Sequence, residues 1–265
     1  MTHGTARASA WLYPSISIAI VLLLWQAGVA VFDVPDYVLP SPLQVARTLV
    51  AGFRDGSLWP HIFATLLETL TGYAIGSVFA LASGALLAES ITFERFVMPL
   101  LSGLQAMPKV ALAPLILVWC GYGLTSKVVV VALVCFFPLF INTVNGLKRA
   151  DADLLDTCRA FSASRAFLFF HVKLPSAAPE ICSGLQIGIS LALIGAVVAE
   201  FISSQRGLGF MVTAATVSMN GPSMFSGVVL LAVLGVGGTR IVQMLRERLV
   251  FWEHLQTRTV AGDSE

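Results

Sequence analysis

The chain contains few charged residues. Asp, Glu, Lys and Arg make up 12% of its 265 residues, whereas hydrophobic residues make up 57%. Soluble domains carry about 25% charged residues, so this composition excludes a water-soluble globule and a disordered chain. A formal net charge of +1 excludes a global field that would recruit nucleic acid. Together with a mean hydropathy of +0.84, the composition indicates a protein that crosses a membrane several times.

Cysteines and catalytic motifs are also scarce. The four cysteines show no C-x-x-C spacing and lie mostly in apolar runs, which is typical of small buried side chains. The sequence contains no G-x-x-x-x-G-K-[ST] loop, so we expect ATP to bind on another protein. It also lacks H-E-x-x-H and G-x-S-x-G. We therefore expect no catalytic residue, metal or cofactor on this chain.

Six apolar runs are each close to the roughly 20 residues that a helix needs to span a membrane. They cover residues 15–32, 66–88, 99–120, 128–147, 181–203 and 225–244. The first run could be a signal peptide, but its apolar stretch continues to Phe32, so we favour a retained helix. Pro108 and Pro114 are expected to break the third run, and Pro138 the fourth. Such breaks persist only where the freed backbone groups face protein or a wet cavity.

Residues 40–56 have the pattern of an amphipathic surface helix that is too short to span. Ser41-Pro42 is a helix start, and Arg47 and Arg54 are expected off the apolar stripe, which comprises Leu43, Ala46, Leu49, Val50 and Phe53. We divide the chain into an N-terminal part (1–60), a transmembrane domain (61–250) and a cytoplasmic tail (251–265).

Basic residues predict the orientation. With six spans and the N-terminus inside, eleven basic residues fall in inside segments and four fall outside. The bias satisfies the positive-inside rule, so both termini and the long segment 148–175 are expected in the cytoplasm. The inside residues are Arg7, Arg95, Lys148, Arg149, Arg159, Arg165, Lys173, Arg240, Arg246, Arg248 and Arg258, and the outside ones are Arg47, Arg54, Lys127 and Arg206.

The segment 148–175 predicts two short helices joined by a tight turn. Asp151 or Asp153 can cap the first helix, with Asp156 in its first turn. This capping role explains the three aspartates more simply than a metal site. The small residues at 162–164 interrupt the helix, and an apolar helix resumes over residues 166–172. We expect Leu154, Leu155 and Phe161 to hold the first helix against the membrane domain, while Arg159, Ser162 and Arg165 face water.

This segment resembles the cytoplasmic signature E-A-A-x-x-x-G-x9-I-x-L-P of ABC importer permeases. Residues 156–158 (Asp156, Thr157, Cys158) stand at E-A-A, Ser162 at the Gly, Val172 at the Ile, and Leu174-Pro175 at L-P. Serine in place of Gly affects the geometry expected for the turn, because Gly adopts positive φ more easily than any other residue. Further stretches over residues 39–250 are similar to the nitrate/sulfonate/taurine branch, among them L-P-S-P (39–42), W-C-G-Y-G (119–123) and A-E followed by G-L-G (199–209).

The resemblance implies a type I transmembrane subunit: an all-α integral membrane protein with six spans and a coupling helix between spans four and five. It implies a homodimer in the cell inner membrane that imports a small solute. A cytosolic ABC ATPase would bind ATP and Mg and dock on the signature, and an extracytoplasmic binding protein would deliver the solute. The docking residues implied are Asp156, Thr157, Cys158, Arg159, Ser162, Arg165, Val172, Leu174 and Pro175.

Five residues are candidates for the substrate path. Glu200 is a carboxylate near the end of an apolar span, where it should face protein or water. Lys109 follows Pro108 in the broken run, and Met107, Trp119 and Gln186 could also line the path. Structural pairing or snorkelling is the alternative for Glu200 and Lys109. Glu68 and Glu89 are expected only to mark the two membrane interfaces.

Two other functions are open to a multi-span protein. An ion-coupled secondary transporter would predict inverted repeats and several intramembrane acids. An intramembrane enzyme would need a catalytic pair inside the spans. Neither pattern is found in the sequence.

Overall fold

The computed structural model describes residues 3–250, and within them every regular element is a helix. A 3-10 turn at Lys109–Leu112 precedes α5, and a π-helical segment at Leu168–Lys173 joins α8 to α9. The α-helices are α1 (His3–Val31), α2 (Pro42–Arg54), α3 (Trp59–Glu89), α4 (Ile91–Ala106), α5 (Ala113–Cys120), α6 (Leu124–Lys148), α7 (Ala152–Ala160), α8 (Arg165–Phe167), α9 (Leu174–Ser203), α10 (Leu208–Val217) and α11 (Gly221–Leu249). The predicted all-α class is confirmed.

Four helices in the described part are long and apolar enough to cross a membrane: α3, α6, the continuous helix Arg165–Ser203, and α11. The third apolar run is a bent pair, in which the axes before and after Pro108 differ by 85°. It counts as a fifth span if the pair crosses the membrane as one unit. The first run forms a shorter apolar helix over Ser15–Val31, so a sixth span there stays a prediction.

Proline breaks only one of the spans in which a break was expected. The chain leaves helical geometry at residues 107–108, as predicted. The prediction for Pro138 is wrong, because α6 continues through it. Phe137 and Leu139 on either side are buried, and this packing holds the helix together in spite of the lost hydrogen bond. Pro175 also lies inside a continuous helix, directly after the π-helical segment.

The core of the bundle is α6, which packs between α3 and α9. Phe140, Leu139 and Val131 are almost completely buried there. Glycines allow the helices to approach closely: a Cβ at Gly76 would lie 2.7 Å from the Ala132 carbonyl oxygen of α6. Gly184 on α9 is similarly close to Leu139. Such small residues in membrane helices are typical of interfaces where two helices pack closely.

Candidate functional site

The turn after α7 is built by three consecutive small residues. Ser162 adopts a left-handed conformation with φ of 61°. Its N–H donates to Arg159 O at 2.9 Å and the Ala163 N–H donates to Cys158 O at 3.1 Å, which is the Schellman pattern of helix termination. Ser164 then caps the next helix by accepting from the Phe167 N–H at 3.2 Å. The serine at the signature's Gly position therefore occupies the left-handed position that favours Gly.

The N-terminus of α7 is capped by Asp151, whose Oδ1 accepts from the Asp153 and Leu154 N–H groups. The prediction that Asp156 lies in the first turn is wrong, because the helix already begins at Ala152. Asp156 instead lies one turn later and pairs with Arg159 at 2.7 Å.

No residue of α7 is buried in the described protein. Phe161 is 84% exposed and Leu154 is 48% exposed. The prediction that Leu154 and Phe161 hold α7 against the membrane domain is therefore wrong. The helix ends at Ala160, so Phe161 no longer follows the helical stripe on which that prediction depended. Leu155 and Cys158 are half-buried, and α7 presents most of its surface outward.

The C-terminal half of the signature lies in the helix that continues into α9. Val172 is buried, Pro175 is half-buried and Leu174 is at the border of exposure. Lys173 donates to Glu89 Oε1 at the end of α3 at 2.5 Å. Arg149 at the end of α6 pairs with Glu180 on α9 at 2.8 Å. Two ion pairs thus connect the ends of α3, α6 and α9 on the side of the bundle where α7 lies.

At the opposite end of α9, Glu200 is 1% exposed. Its Oε1 accepts from the Thr65 hydroxyl at 2.6 Å, and its Oε2 accepts from the Gly209 N–H at 2.5 Å. The Thr65 oxygen also accepts from the Leu208 N–H at 2.8 Å. Side chains from α3 and α9 therefore cap the first turn of α10, where a negative charge is stabilised by the helix dipole. A Cβ at Gly207 would overlap the Glu200 carboxylate.

A buried ion pair lies beside Glu200. Lys127 Nζ is 2.6 Å from Glu68 Oε1 and 2.7 Å from Ser204 Oγ, and both charged side chains are buried. Sequence reasoning missed this pair. It placed Lys127 in an outer loop, but α6 begins at Leu124 and includes this residue. It gave Glu68 no role beyond marking an interface, but Glu68 is buried and paired. The available signal was a lysine directly preceding a strongly apolar run.

An open cavity of about 860 Å³ adjoins these groups. The charged residues that line it are Glu68, Lys127, Glu200 and Arg206, and Tyr122 and Phe210 contribute aromatic walls. The lining therefore combines charged side chains of both signs with apolar surface. Of the five predicted path residues, only Glu200 lines it.

The other four predicted path residues lie elsewhere. Lys109 Nζ donates to Gln105 O at 3.0 Å and lies 4.6 Å from the Phe137 ring centroid. Met107 is exposed at the bend, and Trp119 at the end of α5 is 73% exposed. Gln186 is half-buried on α9. Their role in a path stays a prediction.

Comparison with known proteins agrees with this architecture. The chain is 37% identical over 238 residues to the riboflavin transport system permease protein RibX of Chloroflexus aurantiacus, covering 90% of this chain and 89% of the relative. It is 31% identical to the formylaminopyrimidine transport permease protein ThiX of Halalkalibacterium halodurans, covering 92% and 97%. It is 30% identical to the putative aliphatic sulfonates transport permease protein SsuC of Bacillus subtilis, covering 92% and 88%.

A solved structure shares the fold. The MetNI methionine ABC transporter, in an inward-facing conformation, superposes with a TM-score of 0.63 at 21% identity, covering 73% of this chain and 94% of that one. The family described as the inner membrane component of binding-protein-dependent transport systems matches residues 72–251. This match and the identity to RibX show that the chain belongs to this family. It is a multi-pass inner-membrane ABC importer permease of the nitrate/sulfonate/taurine branch, and a transport subunit rather than an enzyme.

Proposed function

We propose that the chain forms the path for a small solute and is driven by a separate ATPase that docks on residues 148–175. The observation that carries this proposal is α7, a capped helix with no buried residue that connects two candidate membrane spans, α6 and the continuous helix Arg165–Ser203. An unburied helix with an exposed phenylalanine at its end has surface available for a partner. The docking residues would be those that the resemblance implies.

The connections of α7 support a role in transmitting motion. A Schellman turn and a serine cap fix its angle to α8. Helix α8 continues without interruption into α9, whose far end carries Glu200 and the cap of α10. Movement of α7 would therefore shift α9 as one body and alter the cavity beside Glu200.

The proposed topology places α7 in the cytoplasm and the Glu200 cavity at the outer face. The basic residues support this orientation, since Arg149, Arg159, Arg165 and Lys173 cluster around α7. The count of six spans would be completed by the bent α4–α5 pair and by α1. Both termini would then be cytoplasmic.

The proposed cargo is a nitrate-, sulfonate- or taurine-like anion, or a pyrimidine-type precursor. Relatives named for sulfonates and formylaminopyrimidine, together with one named for riboflavin, support small polar solutes as a class. An extracytoplasmic binding protein would deliver the solute to a pair of permease copies. Competition of each unlabelled compound against uptake of a labelled one would distinguish the two solute classes.

An ion-coupled secondary transporter is not favoured. Glu68 and Glu200 are buried carboxylates of the kind that such a protein would need. However, Glu68 is paired with Lys127, and both Glu200 oxygens accept hydrogen bonds from Thr65 and Gly209. This arrangement is typical of a structural tie between helices.

Docking can be tested by co-expression with the ATPase encoded beside this chain. The purified chain alone should hydrolyse no ATP, and the co-expressed pair should copurify as two permeases with two ATPases. Ser162→Glu should reduce copurification by orders of magnitude, because a buried unpaired charge at an interface costs several kcal/mol. Ser57→Glu, an exposed serine at the other end of the bundle, is the matched control. Normal retention of the ATPase by Ser162→Glu would contradict the docking surface.

A further inference from the structure

Helix α2 presents a mixed apolar and basic face away from the bundle. Its inward side carries the buried Val45 and Gly52, and the Ser226 hydroxyl of α11 donates to Val45 O at 3.4 Å. Leu43, Val50 and Phe53 of the predicted stripe are exposed. Leu49 of the same stripe is half-buried against the bundle, whereas these three side chains are left uncovered within the described residues.

Two arginines border the same face. Arg47 and Arg54 line an open groove of about 730 Å³ together with Val50. Because a spacing of seven residues returns nearly to the same side of a helix, the two arginines share one edge of the apolar stripe. Asp55 also lines the groove, but its Oδ1 accepts from the Ser57 N–H at 2.9 Å. Within residues 3–250, no acidic side chain pairs with either guanidinium.

An exposed aromatic stack stands beside the groove. Phe53 meets Trp59 edge-on, with ring centroids 5.5 Å apart, and Trp59 stacks on Phe63 at 5.8 Å. All three side chains are exposed. Trp side chains are enriched where a membrane protein meets the headgroup layer. Trp59 therefore indicates that α2 lies at headgroup depth, since it follows Arg54 by only five residues.

We propose that the groove of α2 binds the headgroup of an anionic phospholipid. Arg47 and Arg54 would hold the phosphate, because guanidinium groups match phosphate oxygens in geometry and charge. Val50 and Phe53 would rest on the acyl chains, as in helices that lie in the membrane interface. A water-soluble acidic protein could also pair with the two arginines. Its acidic surface would not cover the aromatic stack and the apolar residues of α2, whereas a phospholipid has both a phosphate and acyl chains.

The test is native mass spectrometry of the full-length permease in detergent, titrated with phosphatidylglycerol or with phosphatidylcholine of the same acyl chains. The Arg47→Gln/Arg54→Gln variant should bind phosphatidylglycerol about 25-fold more weakly, since each basic residue near an anionic surface contributes about 1 kcal/mol and tenfold corresponds to about 1.4 kcal/mol. Phosphatidylcholine binding should not change. Arg47→Lys/Arg54→Lys keeps the charge but loses the guanidinium geometry, so its affinity should lie between that of the unchanged protein and that of the Gln variant.

The matched control is Arg95→Gln/Arg240→Gln, which removes two exposed arginines from other helices and should leave phosphatidylglycerol binding unchanged, because neither residue lines the groove of α2. Equal loss in the control and test variants would overturn the proposal, because it would indicate a general effect of net charge. Equal loss of phosphatidylcholine in the test variant would also overturn it. So would unchanged phosphatidylglycerol binding with loss of the extracytoplasmic binding protein, since the groove would then dock a protein.

Discussion

The buried pair of Lys127 and Glu68 allows a quantitative prediction. Lys127→Met removes the ammonium while keeping a long apolar stem. At 2.6 Å and an effective dielectric constant of about 20, the attraction in the pair is about 6 kcal/mol, offset in large part by desolvation. Removing one partner of a buried pair costs about 3–5 kcal/mol. Because this pair borders an open cavity, we expect a cost near the lower end, about 3 kcal/mol.

The assay is thermal unfolding of the purified permease in detergent. A loss of about 3 kcal/mol corresponds to a fall of about 10 °C in the unfolding midpoint for a chain of this size. The double variant Glu68→Gln/Lys127→Met should recover most of that loss, since no unpaired charge remains. Lys109→Met is the control, because its ammonium reaches only a backbone carbonyl and a ring. The reasoning would be refuted if the double variant lost as much stability as the Glu68→Gln and Lys127→Met single variants lose together.

Three further predictions concern the backbone. Gly207→Ala should destabilise the protein at the cap of α10 by about 2 kcal/mol or more, because the residue has φ of 122° and its Cβ would overlap Glu200. The midpoint of thermal unfolding measures this loss, and an unchanged midpoint would contradict the prediction. Ser162→Gly should preserve ATPase copurification whereas Ser162→Val should weaken it, since a β-branched residue is strained at φ of 61°; equal retention by both would count against the turn's importance. Gly76→Ala should lower stability by about 1–3 kcal/mol through its contact with α6, while Gly103→Ala, which meets nothing within 4 Å, should not.

The sequence was sufficient for features that depend on local patterns. Apolar runs predicted the helices that became α3, α6, α9 and α11, and small residues at 162–164 predicted the turn after α7. The expected break at Pro108 is present. The break expected at Pro138 is absent, because neighbouring helices hold α6 together. Proline therefore indicates a weak point in a span, and tertiary packing decides whether the helix breaks there.

The polar cluster required information that local patterns do not carry. The contact of Glu200 with Thr65 joins residues 135 positions apart, and that of Lys127 with Glu68 joins residues 59 apart. Glu200 was identified as unusual because a carboxylate in an apolar span needs a partner, but nothing local named that partner. The prediction that Phe161 holds α7 against the membrane domain was wrong for a related reason. The exposure of Phe161 depends on where α7 ends and on what α7 contacts.

The central claim is that ATP hydrolysis on a separate subunit drives solute through this chain, and reconstitution into liposomes tests it most directly. Vesicles containing the permease and its ATPase, with ATP inside and the binding protein and labelled solute outside, should accumulate the solute. Accumulation should stop when ATP is omitted or when the permease carries Ser162→Glu, and it should persist when proton and sodium gradients are collapsed. Uptake that follows an ion gradient in vesicles without the ATPase would contradict the account.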